Sequence, residues 1–177
     1  MADELLDIVN DEDIVIGQEM RSTVHQLGLQ HRGVHVFLFT RDGKMLIQKR
    51  SADRAASPSM LDCSVSEHVQ SGENYLQAAT RGLKEEMGLS DIEIKPLVKI
   101  KMNYGVNDNE ISVLYEGIVD PSTVKFDPVE IEEVTYYSLE EIQEMTNRKD
   151  VKFCSWFVQI LNWYMQKPAE LTVLNTY

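Results

Sequence analysis

The sequence predicts an α/β fold in which helices cover both sides of a mixed sheet, built as one domain over residues 1–177. Strand-like runs separated by turn residues recur through the first three quarters of the chain. From residue 73 to 88 the pattern switches to a helical period, and a stretch free of breakers follows near the C-terminus at 152–166. Strands with one helix after the central strand and another at the C-terminus imply a sheet with two covered faces.

Taken in order, residues 5–9 and 14–17 read as a hairpin about Asn10-Asp11-Glu12-Asp13, and 18–30 as a polar connection with little regular structure. The runs 34–39 and 44–48 flank Arg41-Asp42-Gly43 as a second hairpin. His35 alternates into the first of these and reads as a structural residue. Residues 55–60 hold Ser57-Pro58-Ser59 and read as loop, and 61–65 is a short strand. In the segment 67–89, Ser71-Gly72-Glu73 makes a turn, and Leu76, Thr80, Leu83 and Met87 then recur as one stripe. Gly88 ends that helix as a left-handed cap residue. On this stripe's geometry Glu85 and Glu86 fall together on the opposite side, an arrangement that suits a hard cation held by oxygen ligands.

Residues 92–100, with Pro96, predict an edge strand. Residues 110–119 predict a strand with Ile111, Val113 and Tyr115 on one face, and 134–137 a last short strand. Ser138 and Glu141 carry a capping-box pattern. The closing segment, within 150–167, is apolar nearly all round, through Phe153, Trp156, Phe157 and Met165. Burial against the sheet is the first expectation for it, and a pocket wall or a homodimer contact the second.

Hydrophobic residues make up 43% of the chain and charged residues 26%, an ordinary globular balance. The net charge of −12 argues against a nucleic-acid polymer as partner. Cys63 and Cys154 are too few and too far apart for a disulfide framework. The start, MADELLDIVND, has no signal-type apolar run, and no segment nears the roughly 20 apolar residues of a membrane span. A cytoplasmic protein without a membrane partner is expected. An acidic chain binds a diphosphate through divalent cations or a local basic patch, and Lys49, Arg50 and Arg54 supply such a patch at a strand end.

Glu73, Arg81, Glu85, Glu86, Gly88 and Leu89 stand where the pattern G-x5-E-x7-R-E-U-x-E-E-x-G-U has its fixed positions, with Leu83 in its internal apolar slot. The chain therefore resembles the Nudix superfamily, which implies a Nudix-type α/β/α sandwich with a loop-helix-loop catalytic motif. It also implies Mg2+, with Mn2+ as a substitute, and a small-molecule diphosphate substrate. Two positions depart from the pattern. Glu67 stands at the opening Gly, and Gly82 at the Glu after Arg, a residue that is commonly a metal ligand in the family. A glycine inside a helix costs about 1 kcal/mol against alanine, so stability does not explain it.

Beyond the box, QHRGVHVFLF, KMLIQKRS, MLDCSVSEHVQSGE, NDNEISVLYEG and VKFCSWF are similar to segments of type I isopentenyl-diphosphate isomerases and the Nudix hydrolases nearest them. The isomerase resemblance implies metal ligands at His31, His68, Asp108 and Glu110, with His25 one position off a further one. It implies a cation at Glu86, diphosphate contacts at Arg50 and Arg54, and a carbocation-stabilising ring at Trp156. Ser66 stands at the isomerase's acid/base cysteine, and a hydroxyl is far less acidic than a thiol of pKa about 8.5. Cys63, three residues away along a strand, is expected on the opposite face.

The leading expectation is a Mg2+-dependent Nudix hydrolase. Glu85 and Glu86, helped by Glu73 or Glu110, hold the metal, and one of these carboxylates takes a proton from water. Arg81 anchors the loop through Glu73, with Gly72 and Gly88 shaping the motif. The alternatives are an isopentenyl-diphosphate isomerase using Glu110 and Ser66, and a diphosphate-binding module without turnover.

Overall fold

The computed structural model of the protein describes residues 3–177. It opens with an antiparallel pair, β1 (Leu5–Val9) and β2 (Val15–Met20), joined by a turn in which the Asn10 side chain accepts from the amides of Glu12 and Ile14. The segment expected to be irregular instead extends β2 to Met20 and then forms α1 (Arg21–Leu27). Only Val24 of this seven-residue helix is buried, so no apolar period announces it.

Eight strands form the main sheet: β3 (His31–Phe39), β4 (Met45–Arg50), β5 (Leu61–Asp62), β6 (Val65–His68), β7 (Ile94–Asn103), β8 (Asn109–Ile118), β9 (Ile131–Tyr137) and β10 (Thr172–Thr176). Their order is β10-β7-β8-β3-β4-β5, with β6 pairing on β3 and β9 on β4. β3 and β8 run parallel and the other pairs antiparallel, so the sheet is mixed.

Three strand expectations are corrected. Residues 61–65 are not one strand, because the chain leaves β5 after Asp62 and starts β6 at Val65. β7 is not an edge, because β10 pairs along it; the largely polar, exposed TVLNT of β10 gave no core signal. Nor is β9 the last strand.

Alternation along β3 divides the core into two layers. Val34, Val36 and Leu38 pack with Ala78, Ala79, Leu83 and Met87 of α2 (Tyr75–Met87). Phe37 and Phe39 face the other way, toward Ile142 of α3 (Leu139–Thr146) and Phe157, Ile160 and Leu161 of α4 (Ser155–Tyr164). Helices thus cover both faces. Ser138 and Glu141 form the expected capping box. α4 starts later than the sequence suggests, since Phe153 is drawn into a parallel bridge with Leu61. No helix among the described residues is long and apolar enough to cross a membrane.

The buried face of α2 is not the expected stripe. Ala78, Ala79, Gly82, Leu83, Glu86 and Met87 point inward, while Leu76 is 52% exposed and Thr80 is exposed. Small residues bring the helix close to the sheet, and the face they define carries Glu86 inward with them. Glu85 and Glu86 are therefore not presented together: Glu86 is 3% exposed, while the Glu85 side chain is 61% exposed.

Candidate functional site

The four residues of β6 pair with the first half of β3: His68 with Gly33, Glu67 with Val34, Ser66 with His35, and Val65 with Val36. A strand alternates its side chains, so Ser66 and His68 share the face of Gly33 and His35, while Val65 and Glu67 turn toward α2. A cavity of about 1230 Å3 at this end of the sheet is lined from both sides, by Ser66, His68 and Glu110 and by Glu67, Glu85 and Glu130.

On the first side, His25 of α1 joins His31 and His68. Their ring centroids lie 5.0–5.2 Å apart, and one ring nitrogen from each falls within 4.8 Å of the others. The backbone between β2 and β3 thus brings in His25, which the sequence placed one position off. The Nδ1 of His31 is 3.1 Å from the Leu29 carbonyl, so in its neutral form that nitrogen donates and Nε2 keeps a free lone pair. This Nε2 is buried without a hydrogen-bond partner. Burial also pushes the His31 pKa down to about 4, which keeps the ring neutral, as a ligand must be. Asp108 holds His25 through Nδ1 at 2.8 Å, and Glu4 approaches His68 Nδ1 at 3.7 Å.

Glu110 lies at the base of this group. Residues 31, 33 and 35 of β3 share a face, and the missing side chain of Gly33 leaves a seat between the two imidazoles. A Cβ on Gly33 would collide with the Glu110 carboxylate. That carboxylate is 3.2 Å from His35 Nε2 and 3.7 Å from His31 Nε2, and it accepts from Tyr104 at 3.3 Å and from Ser112. Burial opposes its charge, yet the His35 hydrogen bond and the surrounding imidazoles win and hold it well below the usual carboxylate range.

Ser66 is embedded rather than idle. Its Oγ lies 3.0 Å from His35 Nδ1 and 3.2 Å from Asp62 Oδ1, so His35 links Ser66 to Glu110. His35, read from the sequence as a structural residue, is thus part of the polar network. Cys63 is not on the opposite face. Its Sγ is 3.1 Å from Ser66 Oγ, because the break between β5 and β6 cancels simple alternation. The thiol is fully buried, and burial beside Asp62 pushes its pKa well up, so it offers no accessible thiolate.

On the α2 side, Glu67, Glu86 and Glu130 each bring a carboxylate oxygen within 4.8 Å of the others. Gln48 donates to Glu86 Oε2 at 2.8 Å, while Oε1 is buried and accepts no hydrogen bond. Burial, and then the neighbouring Glu67, push the Glu86 pKa well above its ordinary value; burial also raises that of Glu130. Such a set, with one bare buried oxygen, fits a hard divalent cation, whereas the three imidazoles fit a first-row transition metal.

The other expected residues divide. Glu73 is not at either cluster: it takes Arg81 through Nε at 2.9 Å and Nη2 at 3.1 Å and accepts from the Gln70 amide. Arg81 also donates to the His68 carbonyl. Gly72 and Gly88 hold left-handed turns. Glu85 stays on the cavity wall, 3.5 Å from Arg81. Lys49 does not reach the cavity; it alternates away from Gln48 and pairs with Glu132. Arg50 is 5% exposed and donates to the Ala56 carbonyl and to Asp62, with its guanidinium 5.6 Å from the Trp156 ring centre. Arg54 pairs with Glu130 at 2.7 Å. Trp156 lines the cavity, donates from Nε1 to Asp62 at 2.9 Å and meets the Tyr104 ring edge-on. Asp62, absent from the sequence reading, ties Ser66, Arg50 and Trp156 together.

The profile described as NUDIX domain matches residues 29–157. The chain is 31% identical over 163 residues to "Isopentenyl-diphosphate Delta-isomerase" of Serratia proteamaculans, covering 90% of each. It is 33% identical over 153 residues to "Uncharacterized Nudix hydrolase SCO1686" of Streptomyces coelicolor, covering 83% of this chain and 80% of that one. The crystal structure of DR0079 from Deinococcus radiodurans superposes with a TM-score of 0.75 at 25% identity, covering 90% of this chain and 98% of that one.

Proposed function

This chain belongs to the Nudix family, and from that premise we propose that it is a divalent-cation-dependent hydrolase that cleaves a diphosphate linkage in a small molecule. The observation that carries the reading is the bare, buried Oε1 of Glu86 beside Glu67 and Glu130, two residues that line the cavity together with Arg50 and Arg54. Glu67, Glu86 and Glu130 would hold Mg2+, which when bound neutralises phosphate charge and acidifies water. Arg54 would exchange Glu130 for a phosphate oxygen, and the remaining donors of Arg50 would steady another. Glu85, open to solvent on the same wall beside Arg81 and outside the buried trio, would be the carboxylate that takes a proton from water. Glu110 is taken up by His35, Tyr104 and Ser112 on the other side of the sheet and instead orients His35.

A panel of nucleoside diphosphates, nucleotide sugars and prenyl diphosphates, each with and without Mg2+, tests the reading. Release of phosphate or pyrophosphate or cleavage of the diphosphate, dependent on Mg2+ and abolished in Glu86→Gln, is expected. Unchanged activity in Glu86→Gln would refute the assignment.

A second reading, allylic isomerisation of isopentenyl diphosphate, is favoured by one observation: His25 completes a trio with His31 and His68 beside Glu110. His35 at 3.0 Å gives the Ser66 hydroxyl a proton partner that serine otherwise lacks. Dimethylallyl diphosphate as product would select this reading, and binding without any turnover would select a non-catalytic diphosphate-binding module.

A further inference from the structure

The two departures from the sequence motif are one feature in space. Gly82 lies on the inward face of α2, one turn before Glu86, and β6 aims Val65 and Glu67 at it. A Cβ built on Gly82 would sit 2.7 Å from Glu67 Cγ and 2.7 Å from Val65 Cγ1, closer than real carbon contacts allow. Any side chain at 82 would therefore displace the stem of Glu67. With glycine there, the Glu67 carboxylate passes over the helix and reaches Glu86 and Glu130, while its Oε2 also lies 3.2 Å from Arg81 Nη1.

We propose that Glu67 is a divalent-cation ligand supplied from strand β6, standing in for the carboxylate that the motif otherwise places at position 82, and that Gly82 is the space that admits it. The helix gives up one acidic side chain and the facing strand provides it from the other side of the same gap, so the local charge is kept while its anchor moves. The second observation is the neighbour: Glu86 is 3% exposed, and its Oε1 accepts no hydrogen bond. Holding Arg81 alone would not require Glu67 to bring a carboxylate oxygen within 4.8 Å of Glu86 and Glu130. Arg81 already donates twice to Glu73 and once to the His68 carbonyl.

The assignment rests on the proposed cation at Glu86, and the test separates the two. The probe is Mg2+ alone, which imidazoles bind poorly, read as the rise in melting temperature of the full chain with Mg2+ concentration. Glu67→Gln, Gly82→Ala and the reference variant Glu86→Gln are compared with the parent, each also melted in EDTA. Glu67→Gln is expected to need at least tenfold more Mg2+ for the half-maximal rise, as Glu86→Gln does, while its melting temperature in EDTA holds or increases. Gly82→Ala keeps every carboxylate and yet is expected to weaken the Mg2+ response in the same direction. A parent-like Mg2+ response in Glu67→Gln, alongside a lost one in Glu86→Gln, overturns the role of Glu67 and leaves the cation at Glu86 standing. Loss of melting temperature in EDTA with unchanged Mg2+ dependence would make Glu67 a support for Arg81 only. No Mg2+ response in the parent would overturn both.

Discussion

Placing one methyl group on Gly33 should dislodge the carboxylate around which the histidine side of the cavity is arranged. In a strand interior, Gly→Ala ordinarily gains about 0.5–1 kcal/mol from backbone entropy. Here the added Cβ collides with the Glu110 carboxylate, which is 4% exposed and flanked by His31, His35, Tyr104 and Ser112. Overpacking costs roughly 1–3 kcal/mol, and each hydrogen bond lost to a charged group roughly 1.5–3 kcal/mol. With one such bond broken, the net destabilisation is about 2–5 kcal/mol, and a second broken bond adds to it. For a domain of this size that lowers the melting temperature by on the order of 10 °C. Calorimetric melting of Gly33→Ala, Glu110→Ala and the double variant closes a double-mutant cycle. Gly33→Ala should cost much less once Glu110 is truncated. A Gly33→Ala protein as stable as the parent, or a cycle with no coupling, would refute the seat.

Other outcomes follow from the same geometry. His25→Ala should weaken Zn2+ or Mn2+ binding at least about tenfold by calorimetry while leaving the Mg2+ response intact, since His25 belongs to the trio and not to the acidic cluster. Ser66→Cys, assayed under reductant because Cys63 lies 3.1 Å from that hydroxyl, should increase dimethylallyl diphosphate formation if the isomerase reading holds and leave it at background if hydrolysis does. Without metal, the pKa of Glu86 is raised above 4.5, so the folded chain binds more protons there than the unfolded chain. That contribution destabilises as pH rises from 4.5 through the folded value. His31, lowered from 6.5 to about 4, acts with the opposite sign, its stability gain growing as pH rises over that interval. The difference in melting temperature between Glu86→Gln and the parent should therefore widen in favour of Glu86→Gln with rising pH in EDTA, and close with Mg2+.

The motif was legible because its spacing depends only on local geometry: Asn74 caps α2, Gly88 ends it and Arg81 reaches Glu73 across eight residues. The fold class followed from runs whose burial matches their hydropathy, such as β3 and β8. What stayed hidden were polar groups buried for their chemistry. Hydropathy assigned Glu86 to the wet side of its helix, although Ala78, Ala79 and Gly82 already marked the close-packed face. Read as a contact surface of small residues, those three would have placed Glu86 inward. His25 sits on a helix too short and polar to register, and its partners lie on β3 and β6. His35 and Asp62 gained roles only through neighbours brought together by sheet pairing. Cys63 was misplaced because alternation was carried across a break in the chain.

The brevity of β6 has a mechanical consequence. Its successive residues furnish an imidazole to one side of the cavity and a carboxylate to the other, so both sides hang on a single pairing register with β3. A slip of one residue would send His68 toward helix α2 and Glu67 among the histidines, spoiling both together. The imidazole side and the carboxylate side of the cavity are thereby geared to one axle, the backbone of four residues.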